Sequence, residues 1–182
     1  MVEKFISMPV GVIVSKTPGV TRWAKWAWKV TGVIPNSAQA DWRELRREGD
    51  AIEYHAGTVD LVLHRTDTEA YLVALSNKPP SVYVALRKSD APDREYDVFT
   101  VTASAYEGQD LLDSGEDLVE QVPMSEGLMS WVWDFVEKHH TQEEFKKRRR
   151  DRVDMNVKQD GIGDERIRQQ ADVYRAPRRK TS

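Results

Sequence analysis

The spacing of turn residues constrains this chain more than any other feature. From residue 51 onward, short apolar or alternating stretches cover 52–56, 59–64, 70–75, 82–87 and 97–103. They are divided by Ala56-Gly57-Thr58, Arg65-Thr66-Asp67-Thr68, Asn77-Lys78-Pro79-Pro80 and Asp90-Ala91-Pro92-Asp93. A parallel crossover needs roughly a dozen or more residues, so strands joined by links this short must pair as antiparallel neighbours.

Two earlier stretches extend the pattern. Residues 8–16 are rich in β-branched side chains and end at Pro18-Gly19, which reads as a strand and then a turn. Within 23–34, Trp26, Trp28 and Val30 alternate with Lys25, Ala27, Lys29 and Thr31. A period of two puts one face of the strand in a core and the other in water. The charged stretch from Asp41 to Asp50 reads either as a short helical turn or as a charged strand.

The end of the body changes character. Ser125 is a candidate helix N-cap and Glu126 suits the positive end of the helix dipole. Leu128, Trp131, Val132, Phe135 and Val136 then recur at helical spacing and form one apolar stripe. The expected fold is α+β: an antiparallel sheet of about six or seven strands, arranged as a meander and covered by one C-terminal amphipathic helix ending near His139-His140-Thr141.

Charge divides the chain in two. The net value of −3 combines a segment 146–182 with 13 Lys/Arg against 6 Asp/Glu and a remainder with 14 against 24. From Asp90 to Glu126 there are eleven acids and a single base, Arg94. The expected organisation is therefore a domain over residues 1–145 and a basic tail over 146–182. Lacking an apolar stripe, the tail is expected to be disordered alone or extended along a partner, because it buries too little to offset its backbone entropy. It also has the option of lying back on its own acidic body.

Several function classes find no support. With no cysteine, disulfides, thiol catalysis and cysteine metal sites are excluded. No phosphate-binding glycine loop, dinucleotide fingerprint or nucleophile elbow is present. The N-terminus has no apolar signal core and no run reaches the ~18–20 apolar residues of a membrane span, so a cytoplasmic protein without membrane contact is expected.

The candidate site residues cluster near the junction of body and tail. Lys146, Lys147, Arg148, Arg149 and Arg150 are five consecutive bases, preceded by Phe145 as an aromatic anchor. Phosphate contact is one reading of such a run. The acidic body and the lack of interleaved aromatics make nucleic acid a poor partner, leaving a solvated helix end or docking to an acidic protein or anionic ligand. His139 and His140 stand four residues before Glu143 and Glu144, but adjacent helical side chains project about 100° apart, so one ion does not readily bind both. They read better as cations at a helix C-terminus than as metal ligands. Trp23, Trp26 and Trp28 read as core and rim aromatics, and Lys25 and Lys29 as edge protection.

The stretch from Phe135 to Asp151, with its His-His-x4-Phe-x-Lys-Arg-Arg-Arg-Asp pattern, together with Pro80 to Arg87, resembles an uncharacterised family of short proteobacterial proteins. Its genes tend to lie beside those for molybdenum-containing formate dehydrogenase, and automated labels sometimes name molybdopterin-guanine dinucleotide biosynthesis. That label implies a Rossmann-like alternation with a glycine-rich nucleotide loop, whereas here Val12-Ile13-Val14 leads into Ser15-Lys16-Thr17-Pro18-Gly19 and further short strands. The resemblance implies an accessory or adaptor protein, not an enzyme, for assembly or maturation of such a dehydrogenase. It would dock formate dehydrogenase or its accessory proteins through His139–Arg150, with no cofactor of its own. The alternative is a small enzyme or carrier holding an anionic cofactor, such as a pterin nucleotide, on the sheet through His55, His64, Lys25 or Lys29.

Overall fold

The computed structural model describes residues 4–141. The elements, in chain order, are β1 (Phe5–Pro18), β2 (Trp26–Pro35), β3 (Asp41–Glu48), β4 (Ala51–His64), α1 (Thr68–Ser76), β5 (Ser81–Lys88), β6 (Tyr96–Thr102), α2 (Ala105–Ser114), β7 (Leu118–Pro123) and α3 (Glu126–His139). The strands form two antiparallel sheets, ordered β2-β1-β4-β3 and β6-β5-β7. The α+β class and the antiparallel pairing are as expected, but the single sheet and single helix are corrected to two sheets and three helices.

Each departure has a local cause. The stretches 52–56 and 59–64 are one strand, because Gly57 and Thr58 stay in the ladder. The pairing with β1 shifts there, with Val12 opposite Gly57 but Ile13 opposite His55, which leaves Ala56 as the extra residue of a bulge. The expected strand 70–75 is helix α1 instead. A short apolar run does not distinguish a buried strand from a buried helix by periodicity, and here Thr68, Ala70, Tyr71 and Ala74 turn inward at helical spacing. The ambiguous segment 41–50 contributes β3, a mostly exposed edge strand whose charges discourage further pairing.

The core gathers Val10, Val12 and Val14 of β1, Leu61 and Leu63 of β4, Val82, Val84 and Leu86 of β5, and the α3 stripe of Leu128, Val132, Phe135 and Val136. Ser125 caps α3 by accepting from the Leu128 N–H at 3.4 Å, as its position in the sequence suggests. Along β2, burial alternates as the sequence pattern requires, with Trp26, Trp28 and Val30 turned inward and Ala27, Lys29 and Thr31 exposed. The expected tail lies outside the described residues.

The two sheets repeat one plan. In each, a first strand is flanked by its hairpin partner and by a returning third strand (β2-β1-β4 and β6-β5-β7), and a helix follows the third strand (α1 and α3). The hairpin turns match residue for residue: the Gly19 N–H donates to Lys25 O at 3.0 Å, and the Ser89 N–H to Glu95 O at 3.0 Å. The closing bonds of the third strands match as well, from Arg65 N–H to Lys4 O and from Met124 N–H to Pro80 O. Packing between the copies is reciprocal, β4 against β6 and β2 against β7, with α1 against α3. The body therefore repeats a β-β-β-α plan, with reciprocal packing between the two copies. The first copy carries β3 as an insertion and the second carries α2.

Candidate functional site

The inward face of the first sheet runs past the edge of the core at the hairpin end. Cross-strand pairing puts Lys16 opposite Trp28 and Pro18 opposite Trp26, one step beyond the buried Val14–Val30 pair. The β5–β6 turn lies across this extension and leaves a cleft of about 560 Å³, lined by Lys16, Trp26, Trp28, Trp42 and Tyr54 and rimmed by Asp41 and Pro92–Glu95.

The rings form a continuous edge-to-face chain. Tyr96 meets Trp28 at 6.0 Å, Trp28 meets Trp42 at 5.5 Å, and Trp42 meets Tyr54 at 5.6 Å between centroids. Such contacts set the positive edge of one ring against the negative face of the next. Trp42 takes part at a backbone φ of 47°. A bulky residue in the left-handed region is strained and is held there only by its surroundings. The rim is equally fixed. The Trp28 indole N–H donates to Glu95 Oε2 at 2.7 Å, and Arg94 pairs with Asp41 and, at 2.7 Å, with Asp97.

The hairpin tip beside the cleft is open to solvent. Val20 is 99% and Trp23 90% exposed. The duplicated turn shows that the fold does not require them, since Asp90 and Asp93 occupy the equivalent positions of the β5–β6 turn. Charge singles out the same region. From Lys4 to Ala40 there are five bases and no acid, a basic stretch inside a body whose sum is acidic. That signal was legible in the sequence but is masked when the body is summed as one.

Of the residues expected to form the docking segment, two fall within the described part. His139 ends α3 with its ring 4.6 Å from that of Phe135. His140 follows as the C-cap, its N–H donating to Val136 O at 2.7 Å and its Nδ1 lying 3.1 Å from Thr68 Oγ1. Both are half-buried, and His140 ties the end of α3 to the start of α1. Phe145, Lys146, Lys147, Arg148, Arg149 and Arg150 lie outside the described residues. Among the described residues no group of three or more His, Asp or Glu is arranged to hold a metal ion, and no helix is long and apolar enough to cross a membrane.

The residues of the sheet-site alternative are dispersed. His55 is buried and bonded to Thr58 Oγ1 at 3.0 Å, with Ser37 Oγ at 3.4 Å. Both hydroxyls donate to Ala38 O, which leaves His55 Nε2–H to donate the bond at 3.0 Å. Burial, and after it Arg43, holds its pKa below the usual value. His64 is exposed beside Phe5, at 6.0 Å between rings. Lys25 and Lys29 are exposed, and Lys29 belongs to the wet face of β2.

These features define an α+β protein of two duplicated antiparallel sheets with an aromatic cleft at one end. The chain belongs to the family described as "Protein of unknown function (DUF3305)", whose model matches residues 9–149. No curated protein matches it, and no solved structure does.

Proposed function

We propose that the protein is a non-enzymatic accessory or adaptor protein that docks an acidic-surfaced client. Given the resemblance of its His-His and basic segment, we take that client to belong to the assembly or maturation of a molybdenum-containing formate dehydrogenase. The observation that carries the docking reading is the exposure of Val20 and Trp23 at a hairpin tip whose duplicate is built with two aspartates. An exposed tryptophan flanked by Arg22 and Lys25 suits the buried anchor of a protein interface, where tryptophan and arginine dominate the binding energy. The five bases between Lys4 and Ala40 favour an acidic partner through long-range steering. The segment His139–Arg150 is the second docking element.

The alternative of an anionic cofactor on the sheet draws less support. Three carboxylates, Asp41, Asp93 and Glu95, rim the cleft, and Arg94 there is committed to acids.

A pull-down from the native host with the full chain, a chain ending at Thr141 and the Trp23→Ala variant tests the reading. The expected result is recovery of a formate dehydrogenase component by the full chain and its depletion in both others. Recovery of the same proteins by all three would overturn it.

A further inference from the structure

The cleft already holds a cation of its own. The Lys16 ammonium lies 4.3 Å from the Trp26 ring centroid and 5.1 Å from that of Trp28. A ring face attracts a cation through its quadrupole, tryptophan most strongly. Among the described residues, no carboxylate forms an ion pair with Lys16. The duplicated unit shows that the sheet does not need this ammonium. Where the first copy has Lys16, Trp26 and Trp28, the second has Leu86, Tyr96 and Val98, and Leu86 is fully buried.

The rim selects the sign of the charge. Glu95 is fixed by the Trp28 indole, Asp93 lies beside it, and Arg94 is bound by Asp41 and Asp97. An entering anion would meet these carboxylates with one uncommitted base to offset them. An organic cation would meet both aromatic rings and carboxylates in the cleft lining.

We propose that the cleft is a receptor for an organic cation, an ammonium or guanidinium group, and that the Lys16 ammonium is the resident which an incoming cation displaces. The proposal goes beyond the adaptor reading and holds whichever client the protein serves.

The test is a titration of the full chain, followed through its tryptophan indole N–H resonances at constant ionic strength. Tetramethylammonium probes a free cation, the tripeptide acetyl-Gly-Arg-Gly-amide a guanidinium borne on a protein, and guanosine monophosphate an anion. A shift caused by the first cation assigns a small-molecule source, and one caused by the second a peptide source. The expected result is movement of the Trp26, Trp28 and Trp42 signals while Trp131 and Trp133 stay in place. Lys16→Met, which keeps the length of the side chain, should tighten cation binding about fivefold by removing the competitor. Trp26→Leu should abolish it. Should Trp26→Leu unfold, the Lys16→Met comparison decides. Weaker or unchanged cation binding in Lys16→Met would overturn the proposal, as would indole shifts produced by the nucleotide alone.

Discussion

His55 shows how a single side chain sets a property of the whole domain. Bonded to Thr58, it has a folded pKa held below its ordinary value of 6.5, first by burial and then by Arg43. As pH falls the unfolded chain takes up this proton first, so the stability tied to His55 is present above about 6.5 and is lost as pH drops below that value. Urea unfolding at pH 7.5 and 5.5 should show a loss on acidification that is smaller in His55→Gln, and an equal loss in both would contradict this origin. Gly11 is bound to the same site: a Cβ there would stand 2.5 Å from His55 Nε2 and 2.5 Å from Ser37 Oγ. Tyr71 makes a second such point. Its hydroxyl accepts from the His64 N–H at 2.8 Å, and burial pushes its pKa up to about 12. Tyr71→Phe removes the partner of that partly buried N–H and should cost roughly 0.5–1.5 kcal/mol in denaturant unfolding.

At the scale of elements, legibility in the sequence followed the strength of the periodic signal. Helix α3 could be read because five apolar residues keep helical spacing behind the cap Ser125, and strand β2 because its tryptophans alternate with polar residues. Helix α1 was hidden by a uniformly apolar run, and the β4 bulge by a glycine that mimics a turn. Helix α2 did have a signal, the Ser104-Ala105-Tyr106-Glu107 start, whose Ser104 Oγ accepts from the Glu107 N–H at 3.2 Å. Within α2, Gly108 presses on the ring of Tyr83, and a Cβ there would stand 2.3 Å from it. Gly108→Ala, a helix-favouring change elsewhere, should therefore destabilise by about 1–3 kcal/mol through overpacking, as read by thermal or urea unfolding. Leu128→Ala, which empties a fully buried site under α3, should cost roughly 2–5 kcal/mol in the same measurement.

At the scale of the molecule, the duplication is what separates scaffold from function. The sequence offers no visible repeat, because the copies keep strand order, turn bonds and helix position while the turn and cleft side chains differ. The cleft was only partly legible for the same reason. Its rings come from β2, β3, β4 and β6, and a strand pattern read one segment at a time does not bring them together. Comparing the copies isolates what the fold does not need: an exposed Val20 and Trp23 on one tip, and a lysine resting on two indoles beneath it. The most direct measurement of the adaptor account is calorimetric titration of purified formate dehydrogenase with the full chain and with its Trp23→Ala variant. The account predicts saturable binding that Trp23→Ala weakens by about tenfold or more, with its unfolding midpoint unchanged. Equal binding by both proteins, or none by the full chain, would contradict it.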